Sequence, residues 1–252
     1  MLAAERKNLI LERLRAEGSV FVVPLSEEFG VSEETIRRDL EKLEREGRAQ
    51  RSYGGALYSE DERADPPYNV RRYTNIPGKE RIAQLTAQLI DDGDFIMFDE
   101  STTAGFVARA LKDKQRLTVI TNSIETVVDL QEMSDWTVLC TGGSLKKGVL
   151  ALTGHQAESF IRDYHVDKAI ISCTALDIDA GYTDAGEDNA LIKRAIMASA
   201  DKTILVCDGH KFGKRAFTRI GSLDRLYALV TDAEPDEVWK AALAEQGVKL
   251  YS

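Results

Sequence analysis

Residues 25–47 read Leu25-Ser-Glu-Glu-Phe-Gly-Val-Ser-Glu-Glu-Thr-Ile-Arg-Arg-Asp-Leu-Glu-Lys-Leu-Glu-Arg-Glu-Gly47, and the punctuation of this stretch decides the first part of the fold. Residues 24–29 form a short helical segment that Gly30 ends, at a position where a left-handed backbone costs glycine nothing. Ser32 is placed as the N-cap of a second helix, in which Ile36, Leu40 and Leu43 recur at i, i+4 and i+7 before Gly47 supplies the stop. At about 100° per residue those three face inward, Glu34, Arg38, Glu41 and Arg45 lie opposite, and Arg37 is on the flank. Two helices about a tight turn, the second opening with Ser32 and Thr35 and carrying Arg37-Arg38, have the geometry that puts a recognition helix into a major groove. A guanidinium there reads guanine or grips phosphate. The plain alternative is a solvated helical hairpin whose arginines pair with Glu33, Glu34 and Glu41, each pair contributing about 0.2–0.5 kcal/mol.

Upstream, residues 4–17 carry a helical stripe of Leu9, Ile10 and Leu14 that Gly18 closes; downstream, Arg51-Ser-Tyr-Gly-Gly-Ala56 reads as the glycine turn of a hairpin. Residues 1–58 are thus a small module of three helices and a β-element. Three of the five prolines fall in the polar stretch Ser59–Gly78, which reads as a linker. Residues 79–252 alternate differently. Apolar strands are predicted at 95–98, 118–121, 137–141, 168–173, 203–207 and 226–231, with helices at 79–90, 103–111, 123–132, 155–164, 188–200 and 236–246. That rhythm predicts an α/β domain with a mostly parallel sheet covered on both faces, and ligands of such sheets bind beyond the carboxyl ends of the strands.

The 252 residues, 43% hydrophobic and 30% charged, have ordinary globular composition. A net charge of −9 excludes a polycation that coats nucleic acid or anionic membrane indiscriminately, so any DNA contact has to be local. Residues 1–58 hold ten basic and eleven acidic side chains; the acidity lies in the second part. Cys140, Cys173 and Cys207, at the ends of three predicted strands and without CxxC spacing, read as buried strand thiols in a reducing compartment. The charged start Glu5-Arg6-Lys7 and the lack of an apolar run of about 18 residues predict a cytoplasmic chain with no membrane partner. His155, His165 and His210 are far apart and lack metal-ligand spacing, and neither a metal nor a cofactor is expected.

At the end of the first predicted strand stands Asp99-Glu100-Ser101-Thr102-Thr103, immediately before a helix. Helix-start amides plus the hydroxyls of Ser101, Thr102 and Thr103 make a phosphate cradle; helix capping alone explains the same residues. Further candidates fall at strand ends: Asn122 and Ser123, Gly142 and Gly143, Gly181-Tyr182-Thr183, and Asp208-Gly209-His210-Lys211, where Lys211 can neutralise an anion. Lys193, on a predicted helix, is either another such cation or a solvated lysine.

The 25–47 run, with Thr35-Ile36-Arg37-Arg38-Asp39-Leu40 and the Gly54-Gly55-Ala56 wing, closely resembles the winged helix-turn-helix of the DeoR family of bacterial transcriptional regulators. The resemblance implies a repressor of carbohydrate-metabolism genes that contacts double-stranded operator DNA through Ser32, Thr35, Arg37, Arg38, Arg51 and Tyr53, the last standing where the family often has histidine. The second segment resembles that family's effector-sensing domain, through Asp99 to Thr103, the Thr-Asn-Ser and Thr-Gly-Gly turns, Ile192-Lys193-Arg194-Ala195 and Cys207 to Gly213. This implies a fold similar to ribose-5-phosphate isomerase and a phosphorylated sugar or related metabolite as effector, held by Asp99, Ser101, Thr102, Thr103, Asn122, Ser123, Gly142, Gly143, Lys193 and Lys211. Glu100, where the family generally has a small residue, and Gly209-His210 depart from the pattern. A carboxylate at residue 100 repels phosphate unless a cation neutralises it or it points away. Because one winged helix spans few base pairs, a homodimer or homotetramer is expected. The alternative of a different class is a sugar-phosphate isomerase with an appended DNA-binding module, using Asp177, Asp179 or Glu187 as base; no glycine-rich stretch follows the acidic loop, so no catalytic residue is assigned.

Overall fold

The computed structural model describes residues 2–17, 19–52, 54–58, 68–146 and 149–252. The chain divides into two compact units, residues 1–70 and 71–252, the division falling inside the one-turn helix Tyr68–Arg71.

In the first unit the order is α1 (Ala3–Glu17), β1 (Ser19–Phe21), α2 (Val22–Phe29), α3 (Glu33–Arg45), β2 (Ala49–Ser52), β3 (Gly55–Tyr58) and α4 (Tyr68–Arg71). Ile10 and Leu14 of α1, Leu25 of α2, and Ile36, Leu40 and Leu43 of α3 are buried together, so the stripe predicted for α3 does form its core face. On α1 the stripe is Ile10, Leu11 and Leu14; Leu9, counted in it from spacing, is 44% exposed because Leu11 rather than Leu9 shares the buried face. Arg6 Nε donates to Asp39 Oδ2 at 2.6 Å, a buried pair that ties α1 to α3. Gly30 sits at φ 62°, and the following amide, Val31 N, reaches back to Ser26 O, which sets the tight turn between α2 and α3. The β-element is a three-stranded antiparallel sheet in the order β1-β3-β2, not a lone hairpin. A Cβ at Gly55 would stand 2.0 Å from Val20 O, so only glycine lets β1 and β3 approach.

The second unit continues with α5 (Ile76–Ala87), β4 (Phe95–Phe98), α6 (Thr102–Ala110), β5 (Thr118–Thr121), α7 (Ile124–Asp129), β6 (Thr137–Cys140), β7 (Ser144–Lys146), β8 (Ala151–Thr153), α8 (His155–Arg162) and β9 (Val166–Ile171). Then come β10 (Ala175–Asp177), β11 (Gly181–Asp184), α9 (Glu187–Ala198), β12 (Ala200–Val206), β13 (Thr218–Gly221), β14 (Ala228–Val230), α10 (Glu237–Glu245) and β15 (Lys249–Tyr251). Among the described residues one parallel sheet runs β15-β14-β12-β9-β4-β5-β6. Its strands alternate between two apolar layers. Ile96, Phe98, Ile170, Ile204 and Val206 face one way, with α5 and α6; Met97, Ala169, Ile171 and Leu205 face the other, with Ile192 and Ile196 of α9.

The described part of the 59–78 stretch is not coil. Residues 59–67 lie outside the described residues, while α4, a turn over residues 72–75 and the start of α5 occupy the rest: Asn75 caps α5 by accepting from Gly78 N, and Pro77 sits in the first turn, where its missing N–H costs no hydrogen bond. Gly181-Tyr182-Thr183 is not a turn beyond a strand of the main sheet. It lies inside β11 of a separate antiparallel sheet, β10-β11-β13, because Tyr182 is fully buried in the apolar layer. Among the described residues no helix is long and apolar enough to cross a membrane.

Candidate functional site

From β4 the sheet grows outward through β5 to β6, then resumes on the other side of β4 with β9. The carboxyl ends of β4 and β9 therefore flank the point where strand order reverses, the crevice in which open α/β sheets bind ligands. Asp99, just past β4, bridges it: Oδ1 accepts from Ser101 N at 3.0 Å and Oδ2 from Ser172 N, just past β9, at 2.8 Å. Ser101 caps α6 by accepting from Ala104 N, and Ser123 caps α7 by accepting from Thr126 N. Both hydroxyls are thus capping groups, whereas Thr102 and Thr103 open α6, whose first amides have no intrahelical acceptor.

Lys193 projects from α9 into this crevice. Its Nζ lies 3.0 Å from Asp99 Oδ2, 2.7 Å from Glu100 Oε1 and 3.4 Å from Asp184 Oδ2, with all four side chains almost wholly buried. Burial alone would lower the Lys193 pKa; the three carboxylates reverse this and hold it well above the usual lysine value. Burial, with the neighbouring Asp99 and Asp184 charges, pushes Glu100 up against the pull of Lys193. Asp184 is also raised by burial, but Lys193 and the Gly186 amide bring it net below the usual carboxylate range. Lys193 is therefore neither solvated nor an uncommitted cation, and the Glu100 carboxylate is met by a lysine rather than turned away. Asn122 donates through Nδ2 to Leu152 O at 3.0 Å and lies 3.5 Å from Glu100 Oε2; its buried Oδ1 has no partner among the described residues.

A second charged group lies at the same rim. Lys211 Nζ donates to Cys173 O at 2.6 Å and lies 3.4 Å from Ser172 Oγ. Lys79, in the first turn of α5, donates to the carbonyls of Arg71 and Thr74. Its pKa is lowered to about 8, first by burial and then by the Lys211 and Arg71 charges, against Asp208 and Asp232. Asp232 is anchored by Asn75 Nδ2 and by Gly209 N, each at 2.8 Å. Gly142 and Gly143, at φ 67° and 108°, follow β6, two strands from β4, and no recorded hydrogen bond joins them to the Lys193 cluster. Asp177 accepts from the Asp179 and Ala180 amides and pairs with Arg215, closing the β10–β11 turn, and Asp179 and Glu187 are exposed. The sequence gives neither Lys79 nor Asp184 a role, since neither has a motif: their burial comes from chain segments far apart. A cavity of about 860 Å³, lined by residues including Arg194, Arg219 and Tyr227, opens near the amino ends of β12 and β14, away from this rim.

In the first unit, Ser32 Oγ caps α3 by accepting from Thr35 N and lies 2.9 Å from Thr35 Oγ1. Arg37 pairs with Glu33 at 2.6 Å and Arg38 with Glu34 at 3.5 Å, with side chains 48% and 73% exposed. Such exposed i,i+4 pairs hold an arginine only weakly. Arg51 is exposed, its amide donating to Glu44 Oε1; Tyr53 lies outside the described residues.

The profile described as the DeoR-like helix-turn-helix domain matches residues 6–62, and that of the DeoR C terminal sensor domain matches residues 74–233. The chain belongs to the DeoR family. Among DeoR-family relatives, the uncharacterized HTH-type transcriptional regulator YulB of Bacillus subtilis is 40% identical over 250 residues, 99% of this chain and 96% of that one. The glycerol-3-phosphate regulon repressor of Escherichia coli is 30% identical, with 99% of both chains covered. A solved ribose 5-phosphate isomerase A from Methanocaldococcus jannaschii is 16% identical, with 53% of each chain covered and a TM-score of 0.40. This DeoR-family regulator thus carries its DNA-binding domain on α1 to β3 and its sensor domain on the seven-stranded sheet.

Proposed function

We propose that this regulator represses a carbohydrate-metabolism operon and that a phosphorylated sugar or related metabolite, bound at the rim of the seven-stranded sheet, releases it from its operator. The observation that carries the effector half is the crevice at the β4/β9 reversal. There the open amides of α6 and the Lys79 and Lys211 ammonium groups offer attraction to a phosphate, while Asn122 and the Lys193-bound carboxylates offer polar partners to hydroxyls. Glycerol-3-phosphate in the name of one relative agrees with that ligand class. On the DNA side, the contacts run through Arg37, Arg38 and Arg51, exposed cations of α3 and β2, with Ser32 and Thr35 at the helix start, and through Tyr53, which lies outside the described residues; a homodimer or homotetramer presents two such heads to one operator.

Sensing rather than catalysis is supported by the tethering of Asp177 in a surface turn and of Asp99, Glu100 and Asp184 by one lysine, which leaves none of these four an uncommitted base. Promoter fragments flanking the regulator's own gene, titrated with the full chain in the presence of sugar phosphates and polyol phosphates, test both halves. Retarded fragments released by one such compound, with no turnover of it, support the proposal. Turnover of the compound would replace it with the isomerase reading, and binding insensitive to every compound would overturn the effector half.

A further inference from the structure

Two of the three cysteines stand side by side beneath this rim. Cys173 and Cys207 each lie two residues past Ile171 and Leu205, the last paired positions of the adjacent parallel strands β9 and β12. Being in step, they point to the same apolar layer, and their sulfurs are 3.7 Å apart. Where they pair, neighbouring strands run about 4.7–4.9 Å apart, inside the span of about 4.4–6.8 Å that disulfide-linked Cα atoms occupy, and a bond between these two cysteines requires their sulfurs to close from 3.7 Å to about 2.05 Å. Cys140 is different: it follows the sheet order to the edge strand β6 and is exposed, which corrects its reading as a buried strand thiol.

The pair is wired to both rim turns. The Cys173 carbonyl accepts from Lys211 Nζ, and the Cys207 thiol donates to the Asp208 carbonyl at 3.5 Å. Asp208 in turn caps the short turn Gly209–Lys211 through the His210 amide, while Ser172, before Cys173, donates to Asp99.

We infer that Cys173 and Cys207 form a reversible dithiol/disulfide site that senses hydroperoxides and, when closed, stiffens the Lys211 turn. In the first step the sulfur of Cys173, a residue 4% exposed against 0% for Cys207, attacks a peroxide oxygen; the O–O bond breaks, leaving a sulfenic acid and releasing water once the thiol proton is transferred. The Cys207 sulfur then attacks the Cys173 sulfur, its proton leaving with the displaced hydroxyl as a second water. Two thiols and one hydrogen peroxide thus yield one disulfide and two waters, and an external dithiol reverses the bond. Burial pushes the Cys207 thiol pKa well up, which suits the resolving role rather than the initial attack.

The test uses full-length protein carrying Cys140→Ser, a change confined to an exposed side chain. Stoichiometric hydrogen peroxide is expected to remove two hydrogens from the intact mass, to link the peptides of Cys173 and Cys207, and to slow amide exchange across residues 208–213, all reversed by dithiothreitol. Cys173→Ala in the same background is expected to leave Cys207 as a free thiol after the same treatment. Sulfinic acid on Cys173 beside an intact Cys207 thiol, or two unreacted thiols, would overturn the site. A bond that forms without slowing exchange at 208–213 would overturn its hold on the turn.

Discussion

At residue scale the chemistry of the sensor domain is one lysine balancing three carboxylates, all four side chains almost wholly buried. Removing Lys193 leaves those carboxylates uncompensated, so Lys193→Met is expected to destabilise the domain by about 3–5 kcal/mol, read from urea unfolding. Glu100 behaves differently. Its pKa is raised in the folded state, so between its ordinary value and the raised one the native chain binds more protons than the unfolded chain, and this contribution to stability declines as pH rises. Glu100→Gln is expected to abolish that part of the decline, so that unfolding free energies compared at pH 5 and pH 8 differ less than in the parent. Lys79, with a pKa near 8, gives a prediction for ligand binding. An anion at the rim favours its protonated form, so affinity for inorganic phosphate, followed by calorimetry, is expected to fall as pH climbs through 8. Lys79→Met is expected to lose that particular decline.

At the scale of elements, α3 separates its two tasks by face. Ile36, Leu40 and Leu43 are buried while Arg37 and Arg38 are held only by exposed pairs. Arg38→Ala is therefore expected to weaken operator binding by about 1–3 kcal/mol and to leave thermal unfolding nearly unchanged; equal retardation of parent and mutant would place this side chain outside the interface. The wing depends on close backbone approach instead. Gly55→Ala puts a methyl against Val20 O and is expected to lower both the melting temperature and the DNA affinity, since β1 has to move away from β3.

At the scale of the whole molecule, the acidic balance of −9 makes attraction to DNA a property of one small region. The salt dependence of operator binding is then set by the few arginines of α3 and the wing, and removing one that contacts phosphate is expected to reduce the slope of log affinity against log salt by about one. Coupling between effector and operator is a difference in effector affinity for two arrangements of the chain. A coupling of about 1–3 kcal/mol corresponds to about a 5–150-fold change in operator affinity.

The sequence by itself determined the elements whose signals are local. Gly30 and Ser32 mark the turn and cap of α3, the recurrence of Ile36, Leu40 and Leu43 marks its buried face, and the strand-helix alternation marks the parallel sheet, because a cap or an amphipathic period is set by residues within a few positions of one another. What only the tertiary structure decided is which charges meet. Lys193 finds Asp99, Glu100 and Asp184 across 94, 93 and 9 positions of chain, Lys79 is buried beside the Asp208 and Asp232 charges, and Cys173 lies beside Cys207 because β9 and β12 happen to be neighbours. Long-range partners leave no period in the sequence, and a buried ion pair there looks no different from a solvated one.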